Sequence, residues 1–162
     1  MSEEAPLLIA WHSRTGASEA MADAVASGAQ GEGFLLRADQ VEPDHILAAS
    51  GYVFVCPENL ATMSGLMKEM FDRCYYPVLG RIEGRPFATA IAAGSDGEGA
   101  QRQIDRIAKG WRLRRVADPI IVPTFAQTPE EILAPKALSH EELRKCRMLG
   151  QAFAEGLSMG VF

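Results

Sequence analysis

The segment SRTGAS, residues 13–18, lies between an apolar run and a stretch with helical periodicity. The preceding run, LLIAW at 7–11, is typical of a parallel strand covered on both faces. Downstream, residues 18–29 place Met21 and Val25 on one apolar stripe and are predicted to form a helix. The segment is therefore predicted to be a strand-to-helix turn that is rich in small, hydroxylated residues.

The same alternation of apolar and amphipathic runs repeats along the 162 residues. Further strands are predicted at 33–38, 51–57, 86–94 and 116–123, and further helices at 42–50, 64–76, 99–110 and 139–157. We expect Pro57 to end the third strand, and Pro119 indicates an edge position or a bulge in the fifth. Residues 1–162 are thus expected to form a single α/β domain, a three-layer sandwich around a five-stranded parallel sheet of order 2-1-3-4-5.

In a sheet of this order, ligands lie beyond the carboxyl ends of the strands, so the loops after strands 1, 3 and 4 should carry function. The first loop, HSRTGASE at 12–19, offers hydroxyls and helix-start amides that suit an anion, and Gly16 lets the backbone approach it closely. It matches neither the Walker A nor the GxGxxG pattern. The alternative interpretation is an ordinary N-capping turn.

The other two loops are also polar and rich in small residues. In PENLATMSG, 57–65, Asn59 and Thr62 are able to hydrogen-bond the edge of a planar heterocycle; an ordinary loop with Ser64 as a helix cap is the alternative. In GSDGEGAQ, 94–101, three glycines permit close backbone approach to a ligand, or simply a flexible turn.

Composition excludes some classes of function. The net charge of −5 and the pI of about 5.2 argue against nucleic acid or an anionic membrane as the main partner. Three cysteines without CxxC spacing give neither a disulfide framework nor a metal site and suit the cytoplasm. The acidic start MSEEAP is not typical of a signal peptide, and we expect no membrane span.

Four segments together carry a resemblance to a known family: SRTGAS, PENLATMSGLMKEMFDR (57–73), AAGSDGEGAQ (92–101) and GWRLRRVADPIIV (110–122). They resemble the flavodoxin-like FMN proteins, and within them the NAD(P)H-dependent FMN reductases and NAD(P)H:quinone oxidoreductases. The resemblance implies a flavodoxin-like fold, FMN as cofactor, NAD(P)H as electron donor, a small acceptor such as a quinone, and a homo-oligomer.

The resemblance also implies three groups of FMN-binding residues. The phosphate loop would be Ser13, Arg14, Thr15, Gly16, Ala17 and Ser18. The flavin-edge loop would be Pro57, Glu58, Asn59, Leu60, Ala61, Thr62 and Met63, where Ala61 replaces the usual Gly and Thr62 the usual Asn. The third loop would contribute Gly94, Ser95, Asp96, Gly97 and Gly99.

In this interpretation the cofactor carries the hydride chemistry, so no catalytic side chain and no metal are expected. Backbone amides of 57–65 and 94–99 are the candidates to stabilise charge on the flavin. Two alternatives stay open: a flavodoxin-type electron carrier without NAD(P)H turnover, and a regulatory or binding module that has lost flavin. The segment PTFAQTPEEILAPKAL, 123–138, either rims the acceptor pocket, touches a second subunit or is a packed surface arm.

Overall fold

The computed structural model describes residues 7–162. The strands are β1 (Leu7–Trp11), β2 (Gly33–Arg37), β3 (Gly51–Asn59), β4 (Thr62–Met63), β5 (Pro86–Ala93), β6 (Arg114–Arg115) and β7 (Ile120–Pro123). The helices are α1 (Ala17–Gly28), α2 (Pro43–Ala48), α3 (Gly65–Val78), α4 (Glu98–Gly110), α5 (Pro129–Leu133) and α6 (His140–Ser158), and a 3-10 turn covers Ala38–Gln40. The expectation about the N-terminal MSEEAP concerns residues outside this range.

The parallel sheet confirms the predicted order 2-1-3-4-5. Its strands lie in the order β2-β1-β3-β5, and the fifth position is shared by β6 and β7, which both pair in parallel with β5. Residues 116–119, between these two short strands, contain Pro119, which has no N–H to donate to a ladder. Of the predicted fifth strand at 116–123, residues 120–123 form β7 at the edge of the sheet, whereas 116–119 are not a strand and Arg114–Arg115 form the separate strand β6.

The prediction that Pro57 ends the third strand is wrong, because β3 continues to Asn59. Pro57 lies opposite Ala92 in the parallel register, and its carbonyl oxygen accepts a hydrogen bond from the Ser64 amide at 3.2 Å. A proline lacks only the backbone N–H, so a strand can continue through it at a position where no neighbouring carbonyl needs that N–H. Beyond it, β3 pairs antiparallel with β4; this extra strand and the division of the fifth position into β6 and β7 give seven strands instead of five.

Alternating side chains of the sheet build one core on each face. On the first face, Leu8, Phe54 and Ile91 pack with residues of α3 and α4, including Met67 and Ile104. On the second face, the buried residues come from the strands and from α1 and α6: Leu7, Ile9, Val53, Val55, Ala88, Ala90, Met21, Val25, Cys146, Leu149 and Phe153. This arrangement is the predicted three-layer sandwich.

Helices α1 and α6 approach each other at two glycines. A Cβ added to Gly28 would overlap the carbonyl oxygen of Arg147, and a Cβ added to Gly150 would overlap that of Val25. The start of α6 has a capping box, in which Ser139 Oγ accepts from the Glu142 amide at 3.1 Å. Within residues 7–162, each helix is too short or too polar to cross a bilayer.

Candidate functional site

The parallel strands β1, β3 and β5 are neighbours in the sheet and end at the same edge. The loops that follow them meet around one cleft. A fourth segment, which follows β7, completes its wall. The residues that line the cleft are Ser13, Arg14, Thr15, Ala17, Ser18, Pro57, Glu58, Asn59, Ala92, Ala93, Gly94, Thr124, Ala126, Ile132 and Lys136. The position at the carboxyl edge is the one predicted from the strand order.

The N-terminus of α1 forms the floor of this cleft. Gly16 adopts a left-handed conformation, with φ of 104°, and its amide donates to Ser13 Oγ at 3.0 Å. The first hydrogen bond of the helix runs from the Ala20 amide to the Gly16 oxygen at 3.0 Å. The amides of residues 17–19 therefore precede the helical ladder, and the helix dipole adds partial positive charge to them.

Ser18 supplies a second sign of a ligand at this turn. Its side chain is 1% exposed and lines the cleft, and its hydroxyl has no hydrogen-bond partner anywhere in the described chain. A buried hydroxyl without a partner is unfavourable, because it has given up water without replacement. A phosphate oxygen at the start of α1 would satisfy both this hydroxyl and the helix-start amides, so these residues fit the phosphate of FMN.

The start of α4, next to β3, is already occupied by a side chain of this chain. At α4, Glu58 Oε1 accepts from the Gly97 amide at 2.9 Å and Glu58 Oε2 accepts from the Ala100 amide at 3.1 Å. At α3, the hydroxyl of Ser64 is hydrogen-bonded to His12 Nδ1 at 2.8 Å instead of capping the helix. Neither α1 nor α3 has a side-chain cap, and of these two helices α1 is the one whose first residues line the cleft.

The β3–β4 hairpin turns through two consecutive left-handed residues, Leu60 with φ of 51° and Ala61 with φ of 67°. A turn of this kind favours Asn-Gly, so the Leu-Ala pair holds local strain. The carbonyl oxygen of Ala61 lies where a side chain at position 99 would be, which explains Gly99 as a close-packing residue against α4. Thr62 directs its hydroxyl to the Asn59 and Met63 carbonyls, at 3.1 and 3.0 Å.

The structure divides the predicted FMN-binding residues into two sets. Nine line the cleft: Ser13, Arg14, Thr15, Ala17, Ser18, Pro57, Glu58, Asn59 and Gly94. The others lie outside its lining: Gly16, Leu60, Ala61, Thr62, Met63, Ser95, Asp96, Gly97 and Gly99. Gly16 still shapes the phosphate loop through its backbone.

The predicted role of two amides in the third loop does not fit the structure. The Gly97 amide donates to Glu58, and the Glu98 amide donates to Asp96 Oδ1 at 3.3 Å. Both amides are therefore used within the protein, because they belong to the first turn of α4 and that turn is capped internally. Glu58 likewise directs its carboxylate to the helix start.

Sequence reasoning missed six of the lining residues. Ala92 and Ala93 are the last residues of β5, and Thr124, Ala126, Ile132 and Lys136 belong to the segment after β7. One of the predicted alternatives for that segment is the rim of the acceptor pocket, but no local pattern indicates which of its side chains turn back toward the cleft.

The titratable groups near the cleft have mainly structural roles. Burial, followed by the positive charge of Arg37, lowers the pKa of His12, while Asp39 raises it. Burial raises the pKa of the Cys56 thiol to about 12, so this thiol is a small core side chain. Within residues 7–162, no three His, Cys, Asp or Glu side chains are grouped so that they could hold a metal ion.

Comparisons with solved structures identify the fold. A flavodoxin from the domain Archaea superposes with a TM-score of 0.75 at 17% identity, over 94% of this chain and 98% of that one. A WrbA-like flavodoxin protein from Agrobacterium tumefaciens gives 0.68 at 18%, over 94% and 97%. A flavone reductase gives 0.72 at 18%, over 94% of this chain and 62% of the other. The fold is flavodoxin-like.

Comparisons of sequence indicate the protein family. A flavodoxin from Aquifex aeolicus (strain VF5) is 28% identical over 164 aligned residues, which cover 96% of this chain and 88% of the relative. The family model described as NADPH-dependent FMN reductase matches residues 39–120, which include the second and third loops and amount to half of the chain. These matches support an FMN-binding, flavodoxin-like oxidoreductase, and the chain belongs to the NADPH-dependent FMN reductase family.

Proposed function

We propose that this protein is an FMN-dependent oxidoreductase that passes hydride from NAD(P)H to a quinone, a flavin or a similar acceptor. The observation that carries the proposal is that two kinds of free hydrogen-bond donor lie together at the carboxyl edge of the sheet. They are the uncapped amides at the start of α1 and the buried hydroxyl of Ser18, which has no partner. Such a combination suits a phosphate monoester. Membership of the NADPH-dependent FMN reductase family supports both the cofactor and the donor.

The residues of the chain have distinct tasks in this proposal. Residues 13–18 hold the phosphate through backbone amides and hydroxyls. Pro57, Asn59 and Gly94 form the wall of the cleft between β3 and β5, where they orient the planar ring system. When bound, FMN supplies the hydride-accepting and hydride-donating chemistry, so the protein needs no nucleophile or general base there.

The hairpin tip is the exposed side of this wall. Leu60 is 99% exposed and is held in a left-handed conformation, next to the strand end that lines the cleft. An apolar side chain in this position provides a contact surface for a planar acceptor such as a quinone. We therefore assign the hairpin Asn59–Thr62 to acceptor contact in the proposal.

A visible spectrum tests the cofactor, and steady-state kinetics test the reaction. The purified protein mixed with FMN should keep a flavin band after gel filtration. Under anaerobic conditions NADH or NADPH should bleach that band, and a quinone should restore it with multiple turnovers. A protein that stays colourless would contradict the proposal and favour the flavin-free binding module.

A flavodoxin-type electron carrier is the second candidate, because the relative from Aquifex aeolicus that aligns over 96% of this chain is a flavodoxin. The same experiment separates the two functions. A carrier would keep the flavin band but would not be bleached by NADH or NADPH alone; it would accept electrons only from a separate reductase. Bleaching by the nicotinamide nucleotide would exclude it.

A further inference from the structure

The segment 124–138, here called the arm, lies between β7 and α6 and runs across the open side of the cleft. At its start, the Thr124 and Phe125 amides donate to the carbonyl oxygens of Ala93 and Gly94, at 2.7 and 2.8 Å. Near its end, the Lys136 amide donates to the Thr15 oxygen at 2.9 Å. The arm is therefore fastened to the loop after β5 and to the phosphate loop, one on each side of the cleft.

This fastening places the side chain of Lys136 at the phosphate loop. Its Nζ atom lies 3.4 Å from Thr15 Oγ1, and it donates to the carbonyl oxygens of Ile132 and Ala134 at 2.9 and 2.6 Å. The lysine is half-buried and lines the cleft. Two backbone carbonyls of the arm thus hold the ammonium group in a fixed position next to a hydroxyl of the loop.

The charge of Lys136 is not neutralised by the chain around it. Within residues 7–162, no carboxylate oxygen lies within 4.0 Å of its Nζ atom. The carboxylate that lines the cleft belongs to Glu58, and both of its oxygens accept from amides of α4. A fixed cation with neutral partners beside an open anion site is expected to attract a phosphate, because its charge-assisted contact needs no further ordering of the side chain.

Arg14 is the other cation of the cleft, but it differs from Lys136. Its side chain is exposed, and no hydrogen bond or ion pair of the described chain fixes it. An exposed, unfixed cation contributes little, because water screens it and ordering it costs side-chain entropy. Lys136 is therefore the better placed of the two cations.

We propose that Lys136, brought over the phosphate loop by the arm, is a binding residue for the 5′-phosphate of the flavin and makes the site prefer FMN to riboflavin. This inference rests on the proposed function, since it presumes that FMN binds at residues 13–18. It assigns a ligand-binding role to a segment that lies more than a hundred residues from the phosphate loop in the sequence. The second observation at the same place is the unpartnered hydroxyl of Ser18.

The test compares FMN with riboflavin, which lacks the phosphate. Binding is measured by quenching of flavin fluorescence in the flavin-stripped full chain, for the wild type and for Lys136→Gln, Lys136→Arg and Lys145→Gln. Lys145 is an exposed lysine on α6 outside the cleft, so its substitution removes the same charge elsewhere. Thermal unfolding followed by circular dichroism confirms that each variant is folded.

We expect Lys136→Gln to weaken FMN binding about tenfold and to leave riboflavin binding unchanged within about twofold, as the loss of one charge-assisted contact predicts. Lys136→Arg should retain most of the FMN affinity, and Lys145→Gln should change neither flavin. The difference between the wild type and Lys136→Gln should shrink at high salt, because salt screens the interaction.

Equal weakening of FMN and riboflavin by Lys136→Gln would overturn the inference, since it would show that the lysine only holds the arm in place. No change for either flavin would overturn it as well. In both cases the proposed function would stand, because the wild type binds FMN. A wild-type chain that binds no FMN would instead refute the proposed function, and this inference with it.

Discussion

The carboxylate of Glu58, next to the end of β3, accepts a hydrogen bond from the Gly97 amide at the N-terminus of α4, at 2.9 Å. Its second oxygen accepts from the Ala100 amide at 3.1 Å. One side chain thus joins the second loop of the cleft to the third. It also explains why the start of α4 is closed to an anion, since a negative charge of the protein already occupies it.

We expect Glu58→Ala to lower the free energy of unfolding by about 1–2 kcal/mol, because two helix-start amides lose their acceptor. Urea denaturation measures the change. Glu98→Ala is the matched control: Glu98 is exposed and pairs with Arg102 at 3.2 Å, so its loss should cost less than about 0.5 kcal/mol. Equal losses in the two variants would contradict the capping role of Glu58.

Ser18 and Ser64 make a direct comparison, because both side chains are 1% exposed and only one of them has a partner. Ser64→Ala should destabilise the protein by about 1 kcal/mol, since it removes the hydrogen bond to His12. Ser18→Ala should leave the flavin-free protein as stable or slightly more stable, because it removes an unpartnered hydroxyl. It should nevertheless weaken FMN binding about tenfold, as expected for a lost hydrogen bond to a charged group.

Two measurements test these expectations: thermal unfolding of Ser18→Ala and Ser64→Ala without flavin, and titration of Ser18→Ala with FMN. If Ser18→Ala loses as much stability as Ser64→Ala, the hydroxyl of Ser18 has a structural partner and the fit to a phosphate is weakened. If stability is kept but FMN binding is unchanged, the phosphate does not lie at Ser18.

The close contact of α1 with α6 predicts that Gly150→Ala is destabilising by about 1–3 kcal/mol, because the added methyl group would overlap the Val25 carbonyl and force the helices apart. Gly65→Ala provides the control, since a Cβ there meets nothing within 4 Å. The midpoint of urea denaturation should fall for the first variant and stay close to the wild type for the second. A tolerated Gly150→Ala would show that the two helices can separate without cost.

The lowered pKa of His12 leads us to expect that the free energy of unfolding depends on pH. Burial and Arg37 lower its pKa below the ordinary value of 6.5, with Asp39 opposing them. The unfolded chain therefore binds a proton at a higher pH than the folded chain does. The stabilising contribution is present above pH 6.5 and is lost as the pH falls through the lower pKa of the folded state.

The measurement is the free energy of unfolding at several pH values from neutral to mildly acidic, for the wild type and for His12→Gln. The wild type should lose stability toward acidic pH, and His12→Gln should show a smaller loss over the same window. His140→Gln, at an exposed site on α6, serves as the control and should follow the wild type. An identical slope for the wild type and His12→Gln would rule out His12 as the source.

The strand order could be predicted from the sequence because each strand is a short apolar run bounded by turns, and the rules for parallel sheets leave few topologies. The edge strand was recognised from Pro119 for the same local reason. The end of β3 could not be predicted in the same way. The effect of Pro57 depends on whether a carbonyl of a neighbouring strand lies where the missing N–H of the proline would have pointed. Glu58 was likewise assigned to the flavin because only the folded chain shows the amides of α4 beside it.

The sequence by itself determined the edge of the sheet at which the loops of the candidate site meet. Periodicity, turn residues and the small polar segment SRTGAS act over short stretches, so they specify the strands, the helix starts and the edge of the sheet at which the loops meet. The tertiary structure decided which polar groups are available there. It satisfied the amides of α4 with Glu58, left the hydroxyl of Ser18 without a partner, and brought Lys136 to Thr15. Such pairings join residues far apart in the chain, and they depend on the packing of the whole fold and not on any local pattern.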